Sequence, residues 1–182
     1  ISTFRDAGGL WDKYPVEQVA TPEGYARNPE LVINFYNERR KQLLDVVPNA
    51  GHLGVADLER DFNVTVVTQN VDNLHERAGS THVIHLHGEL TKVCSSRDPY
   101  NPHFVKELAP EEYEVKLGDK AGDGTQLRPF IVWFGESVPE IETAIRYVEQ
   151  ADIFVIIGTS LNVYPAAGLL NYVPRAAEVY LI

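Results

Sequence analysis

VTVVTQNVDNLHERAGSTHVIHLHGEL, from Val64 to Leu90, decides the fold. An apolar run, Val64 to Val67, stops at polar Thr68, Gln69, Asn70 and Asp72, a short helical stretch follows, and a second apolar run ends at His87-Gly88. Apolar runs that break off at polar residues are the pattern of parallel strands buried in a layered α/β domain. Ligands of such sheets collect beyond the strand ends, so the polar residues are expected to face a crevice. Of the three histidines here, His85 and His87 share a strand face and His82 takes the other. An H-x-H pair can hold a metal, can be structural, or can place one imidazole as a general base, since its pKa suits proton transfer at neutral pH. Gly88 beside His87 suggests that backbone and ligand approach closely there.

Outward from this stretch, 182 residues with 44% hydrophobic content suffice for one sizeable core and exclude a disordered chain. A net charge of -10 argues against nucleic acid as the main partner and suits basic, lysine-bearing ones. The single cysteine excludes an internal disulfide, fits a reducing compartment and leaves no cysteine-based zinc site. No apolar run has the length of a membrane span. Because it opens at Ile1 inside what reads as a motif and closes at Ile182 inside an apparent strand, the chain is expected to be truncated at both ends.

Ser2 to Gly9 is a loop by composition, and Arg5 within it is either a surface residue or an anion clamp. Helical spacing runs from Pro29 to Val47 and places Tyr36 and Arg39 on one face, while Arg40 points elsewhere. A phenol and a guanidinium side by side can receive a carboxylate, or they can be a solvated helix face. Pro48 to His52 opens a further helix, with His52 a structural residue at its start. Thr91 to Arg128 reads as a small irregular module. Apolar runs at 129–134, 152–158 and 178–182 read as further strands, with an amphipathic helix at 139–151 and a helix from Pro165.

The segments ISTFRDAGGLW, TQNVDNLHERAG, VIHLHGEL, VWFGE and GTSLNVYPAAG, in this order, resemble the sirtuin family of NAD-dependent protein lysine deacylases, its bacterial members above all. The resemblance implies a Rossmann-like α/β fold, a mostly parallel sheet with helices on both faces. One catalytic domain spans 1–182, with a smaller lobe inserted at about 10–46 and 88–128 across the cleft. It implies removal of acetyl groups, and of succinyl or malonyl groups, from protein lysines, yielding nicotinamide and 2'-O-acyl-ADP-ribose.

His87 matches the family's general base, which activates a ribose hydroxyl, and Asn70 is the second catalytic candidate. Phe4, Arg5, Gln69, Asn70, Asp72, Gly158, Thr159 and Ser160 match NAD contacts, and the family's Gly-rich loop is expected before Ile1. Phe35-Tyr36-Asn37-Glu38-Arg39 matches the Tyr-x-x-Arg signature of members that accept acidic acyl groups. Val132, Trp133 and Phe134 would line the lysine tunnel, while Gly135 and Val163 belong to the two edges between which the acyl-lysine peptide is added as a strand. Many sirtuins hold a structural zinc on two C-x-x-C pairs. Here Cys94 has Arg97 at the second position, so no zinc is expected. A monomer in a bacterial cytoplasm is expected, bound neither to nucleic acid nor to membrane. The remaining alternatives are mono-ADP-ribosyl transfer, a non-catalytic NAD or ADP-ribose sensor, and a metal-dependent hydrolase built on the H-x-H pair.

Overall fold

The computed structural model describes residues 13–182. Phe4 and Arg5 lie outside the described residues. Three helices come first: α1 (Val16–Val19), α2 (Pro22–Arg27) and α3 (Pro29–Leu44). Their starts are chemically marked, because Thr21 Oγ1 accepts from Gly24 N–H and Asn28 Oδ1 from Leu31 N–H, with proline opening both α2 and α3. Helix α3 buries Val32, Phe35, Tyr36 and Leu43 against Val19, Leu74, Leu90, Ile131 and Trp133. Helix α4 (Ala50–Asp57) begins with a reciprocal cap between Asn49 and His52, which confirms His52 as structural.

Strand β1 (Val66–Thr68), helix α5 (Leu74–Ala78) and strand β2 (Val83–His85) form a parallel βαβ unit in which Val66 lies opposite Val83 and Thr68 opposite His85. Then come β3 (Gly88–Ser95), β4 (Lys106–Glu107) and β5 (Leu127–Ile131), in an antiparallel sheet of order β4-β3-β5. Helix α6 (Ile141–Val148) leads to β6 (Ile153–Ile156), a 3-10 helix (Ala166–Tyr172) and β7 (Glu178–Leu181), which pairs in parallel with β6. Ile84 and Leu86 pack with Ala144 and Val148 of α6 and with Ala166 and Leu169.

Two expectations need correction. The strand expected at 129–134 within the parallel sheet is β5, Leu127–Ile131, and it pairs antiparallel with β3. This also gives the module at 91–128 more regular structure than its composition suggests. The cause lies at Gly88, whose φ of 84° turns the chain and whose missing Cβ would stand 2.1 Å from the Phe130 carbonyl oxygen. The close approach expected there is thus between two backbones, not between backbone and ligand.

Arg40, expected to point elsewhere on the helix than Tyr36 and Arg39, is buried. It donates to the carbonyls of Tyr113 (2.7 Å) and Leu90 (3.4 Å) and to Asn37 Oδ1 (2.6 Å). Asn37 in turn exchanges hydrogen bonds with the Val115 backbone, tying α3 to the segment between β4 and β5. The same helix therefore presents one arginine to the chain and another to the interior.

The residues at the family's zinc position do not fit zinc. Cys94 is fully buried with its Sγ 3.7 Å from the Pro129 carbonyl oxygen, and it is the single cysteine of the chain, whereas a structural zinc takes four ligands. Arg97 places its guanidinium 3.7 Å from Asp123 Oδ2. Ser95 Oγ donates to that carboxylate at 2.7 Å, and Thr125 donates to its other oxygen at 2.7 Å. These bonds, led by those from Thr125, hold the Asp123 carboxyl down at about 2. A hydrogen-bonded clasp joins the end of β3 to the start of β5.

A second polar knot joins Arg128, near the start of β5, to the chain just beyond the strand's end. Arg128 pairs with Glu136 through two bonds, 2.7 and 3.1 Å, and lies 3.6 Å over the Trp133 ring. Glu136 also accepts from Trp133 N–H (2.7 Å) and Tyr100 OH (3.1 Å). Both members of the ion pair are largely buried, so removing one strands the other without compensation. Glu136→Ala is expected to destabilise the protein by about 4 kcal/mol in chemical denaturation, and Glu136→Gln by less, because it retains an acceptor.

Candidate active site

The polar loop after β1 is fixed from several sides. Asn70 N–H donates to Thr68 Oγ1 at 3.0 Å, and Leu74 N–H donates to Asp72 Oδ1 at 3.0 Å, so Asp72 secures the start of α5. Leu90 N–H donates to the Val71 carbonyl at 2.7 Å. Gln69 Nε2 reaches Thr159 Oγ1 at 3.2 Å and so joins this loop to the one after β6, as the strand-end reading requires. There Gly158 has φ 60° and open space where a Cβ would sit, and Ser160 is exposed. Asn70 is exposed too, and its carboxamide makes no hydrogen bond among the described residues.

The two histidines at the end of β2 have different partners. His87 Nδ1 lies 3.2 Å from the Gln69 carbonyl oxygen, which fixes the tautomer with the proton on Nδ1 and leaves Nε2 an acceptor without a partner among the described residues. Burial lowers its pKa, more than that hydrogen bond raises it, and keeps the ring neutral. A neutral imidazole with a free Nε2 is the form a general base needs. His85 faces acceptors on both sides, the Asn70 carbonyl at 3.2 Å and Glu76 Oε1 at 2.5 Å. Burial alone would lower its pKa, but Glu76 and the Asn70 carbonyl together raise it. With both nitrogens engaged, His85 does not fit a metal ligand, and no metal-competent cluster occurs among the described residues. His82, on the opposite face, bonds Thr65 Oγ1 at 2.9 Å and packs edge-on against Tyr147.

On the side of α3, Tyr36 and Arg39 are both buried, which excludes the solvated-face reading. Tyr36 OH accepts from Trp133 Nε1 at 3.1 Å, and burial raises the phenol's pKa, so it stays protonated and able to donate. Arg39 lies 5.1 Å from the Phe35 ring centroid, and its Nε and Nη1 have no hydrogen-bond partner among the described residues. Buried guanidinium donors without acceptors are costly and mark a place for an anion.

Trp133 is buried in the core, whereas Phe134 and Gly135 are exposed and Val132 and Val163 half-buried. The backbone N–H groups of Val132, Trp133 and Phe134 are engaged by the His87 carbonyl, Glu136 and the Ala20 carbonyl. Gly135, with φ 90° and open space on its Cβ side, is the more accessible edge. Glu76, Thr159's link to Gln69, and the Tyr36–Trp133 bond were not foreseen. Only the adjacency of Glu76 to the histidine-rich run offered a signal.

A protein-family model described as the Sir2 family matches residues 1–165. The chain belongs to the Sir2 family. Over its whole length this sirtuin is 86% identical to an NAD-dependent protein deacylase of Bacteroides thetaiotaomicron, of which it covers 78%. It is 50% identical to one of Helicobacter pylori, covering 77% of it. Among solved structures it is similar to a Sir2 homolog–NAD complex at TM-score 0.84 and 39% identity, covering all of this chain and 71% of that one. A Sir2 homologue–ADP ribose complex is similar at TM-score 0.88 and 39% identity, covering all of this chain and 73% of that one.

Histidine NMR titration checks the electrostatics of this sirtuin's site. His87 is expected to titrate below the ordinary value of about 6.5 and His85 above it. Coincident midpoints would contradict the two environments.

Proposed function

We propose that this enzyme removes acyl groups ending in a carboxylate, succinyl or malonyl, in preference to acetyl, with Tyr36 and Arg39 as the receiving pair. The reaction class follows from the family and its relatives: the chain is an NAD-dependent protein lysine deacylase, with NAD as cofactor. The observation that carries the acyl preference is the buried Arg39, whose Nη2 lies 3.6 Å from Glu38 Oε2 but whose Nε and Nη1 lack acceptors among the described residues, one turn along the helix from a Tyr36 that stays protonated. A carboxylate would supply two acceptors to that guanidinium and a third contact to the phenol.

When bound, NAD supplies the ribose carbon and hydroxyl that take up the acyl group as nicotinamide leaves. The fit on this chain rests on Gly158, whose open Cβ side permits close approach, and on the exposed Asn70 and Ser160 beside it. Asn70, Asp72 and Gln69 would hold the nicotinamide and ribose, with Gly158, Thr159 and Ser160, and Phe4 and Arg5, completing the contacts. His87 takes a proton on Nε2 while its Nδ1–H stays with the Gln69 carbonyl, so the ring gains charge without turning. Val132, Trp133 and Phe134 flank the lysine stem, and Gly135 and Val163 border an added peptide strand. Solved relatives include a Sir2 with a deacetylated p53 peptide and one with a myristoylated histone peptide, which supports acyl-lysine peptides as partners here.

The two-lobe division, a monomeric state and a bacterial cytoplasmic setting, away from nucleic acid and membranes, belong to the same reading. Its support is the bacterial relatives, the net charge of -10, and the absence of any membrane-length apolar helix among the described residues.

Nicotinamide release with matched succinyl-lysine and acetyl-lysine peptides tests the clamp. Succinyl turnover is expected to exceed acetyl turnover. Tyr36→Phe and Arg39→Met are each expected to lower the former by about tenfold or more, at about 1.5–3 kcal/mol per charged hydrogen bond, and to leave the latter within about twofold. Equal losses on both peptides would contradict the clamp.

A further inference from the structure

His85 is not used by the chemistry above, yet it is one of the most constrained side chains near it. Its side chain is 6% exposed, and each ring nitrogen points at an oxygen that can only accept: the Asn70 backbone carbonyl at 3.2 Å and the Glu76 carboxylate at 2.5 Å. A neutral imidazole carries one N–H. One of these contacts would then set a nitrogen lone pair against an oxygen lone pair. The charged, shorter contact to Glu76 is the stronger, so the proton lost would be the one on Nδ1, facing Asn70.

We propose that His85 is a positioning residue that holds the Asn70 loop in its NAD-binding geometry only while it is an imidazolium, with Glu76 as its counter-ion. The inference rests on the reading of Asn70 as a cofactor contact. Three titratable groups bear on His85: Glu76 and His75 from α5 and Glu89 from β3. Glu76 and Glu89 favour its charged form, and His75, whose own pKa is lowered by burial, is neutral near neutral pH and opposes it little. The raised pKa of His85 means that its hydrogen bond to Asn70 is present below the ordinary histidine range and is lost as pH climbs through the folded-state value. His87, two residues on, must instead be neutral to accept a proton. The two histidines therefore set opposite ends of one working range, His87 the acid end and His85 the alkaline end.

The test is KM for NAD and kcat, between about pH 6 and pH 9, with saturating acetyl-lysine peptide, on the protein and on Glu76→Gln and His85→Gln. Glu76 is 39% exposed, and glutamine keeps an acceptor there, so Glu76→Gln is expected to fold with little change in Tm. In the unaltered protein KM for NAD rises as pH climbs. In Glu76→Gln the rise begins about one pH unit lower, which at a pH between the two midpoints reads as a KM up to about tenfold higher. In His85→Gln KM is raised throughout and no longer responds to pH over this range. A merely structural His85 would lower Tm without moving the pH dependence. An unchanged KM profile in Glu76→Gln would overturn the positioning role alone, since turnover with NAD would still stand. No NAD-dependent turnover by the unaltered protein would overturn both this role and the reading of the site.

Discussion

Two backbone carbonyls, those of Gln69 and Asn70, each meet an imidazole from the end of β2, and the candidate site depends on that pair of contacts. A loop at a strand end has no ladder to satisfy its carbonyls, so a side chain that supplies the donor also fixes where the loop lies. Their surroundings differ. Burial with one carbonyl partner lowers the pKa of His87 and favours the neutral ring, while a carboxylate opposite the second nitrogen raises that of His85. Gln69 then extends the constraint through its side chain to Thr159, so that the loops after β1 and β6 are set relative to each other.

The antiparallel sheet positions the other half of the site. It is held by two polar devices, the Ser95–Asp123–Thr125 clasp with Arg97 and the Arg128–Glu136 pair. The second reaches the site directly: Glu136 holds Trp133 N–H, the Trp133 ring stacks under Arg128, and its indole N–H meets Tyr36. The Tyr36 phenol is thereby tied through Trp133 to a buried ion pair. The clasp lies beside Cys94 and joins the end of β3 to the segment before β5 with oxygens and one guanidinium.

The βαβ unit was legible because its short apolar runs end in polar residues, and the helix after Pro48 because Asn49 is a strong helix start. The strand after Pro129 was equally apolar, and periodicity cannot say whether such a run pairs parallel or antiparallel. The turn at Gly88 decides it, and that depends on the approach of Phe130, which lies far away in the chain. The identities of the site residues were legible through short motifs, but their states were not. Nothing in H-x-H distinguishes the ring of lowered pKa from the ring of raised pKa, because the difference lies in Glu76, a helix residue brought near by the crossover. The partners of Arg40 were not legible for a similar reason: its helix face is covered by a segment more than seventy residues later.

The most direct test of the account is turnover of His87→Ala on an acyl-lysine peptide with NAD, beside measurements of its Tm and of NAD binding. The account predicts that deacylation falls by at least about 100-fold, the ordinary contribution of a general base, while the fold and NAD binding persist. Turnover within about twofold of the unaltered protein would contradict the assignment of the base to the bare nitrogen of His87.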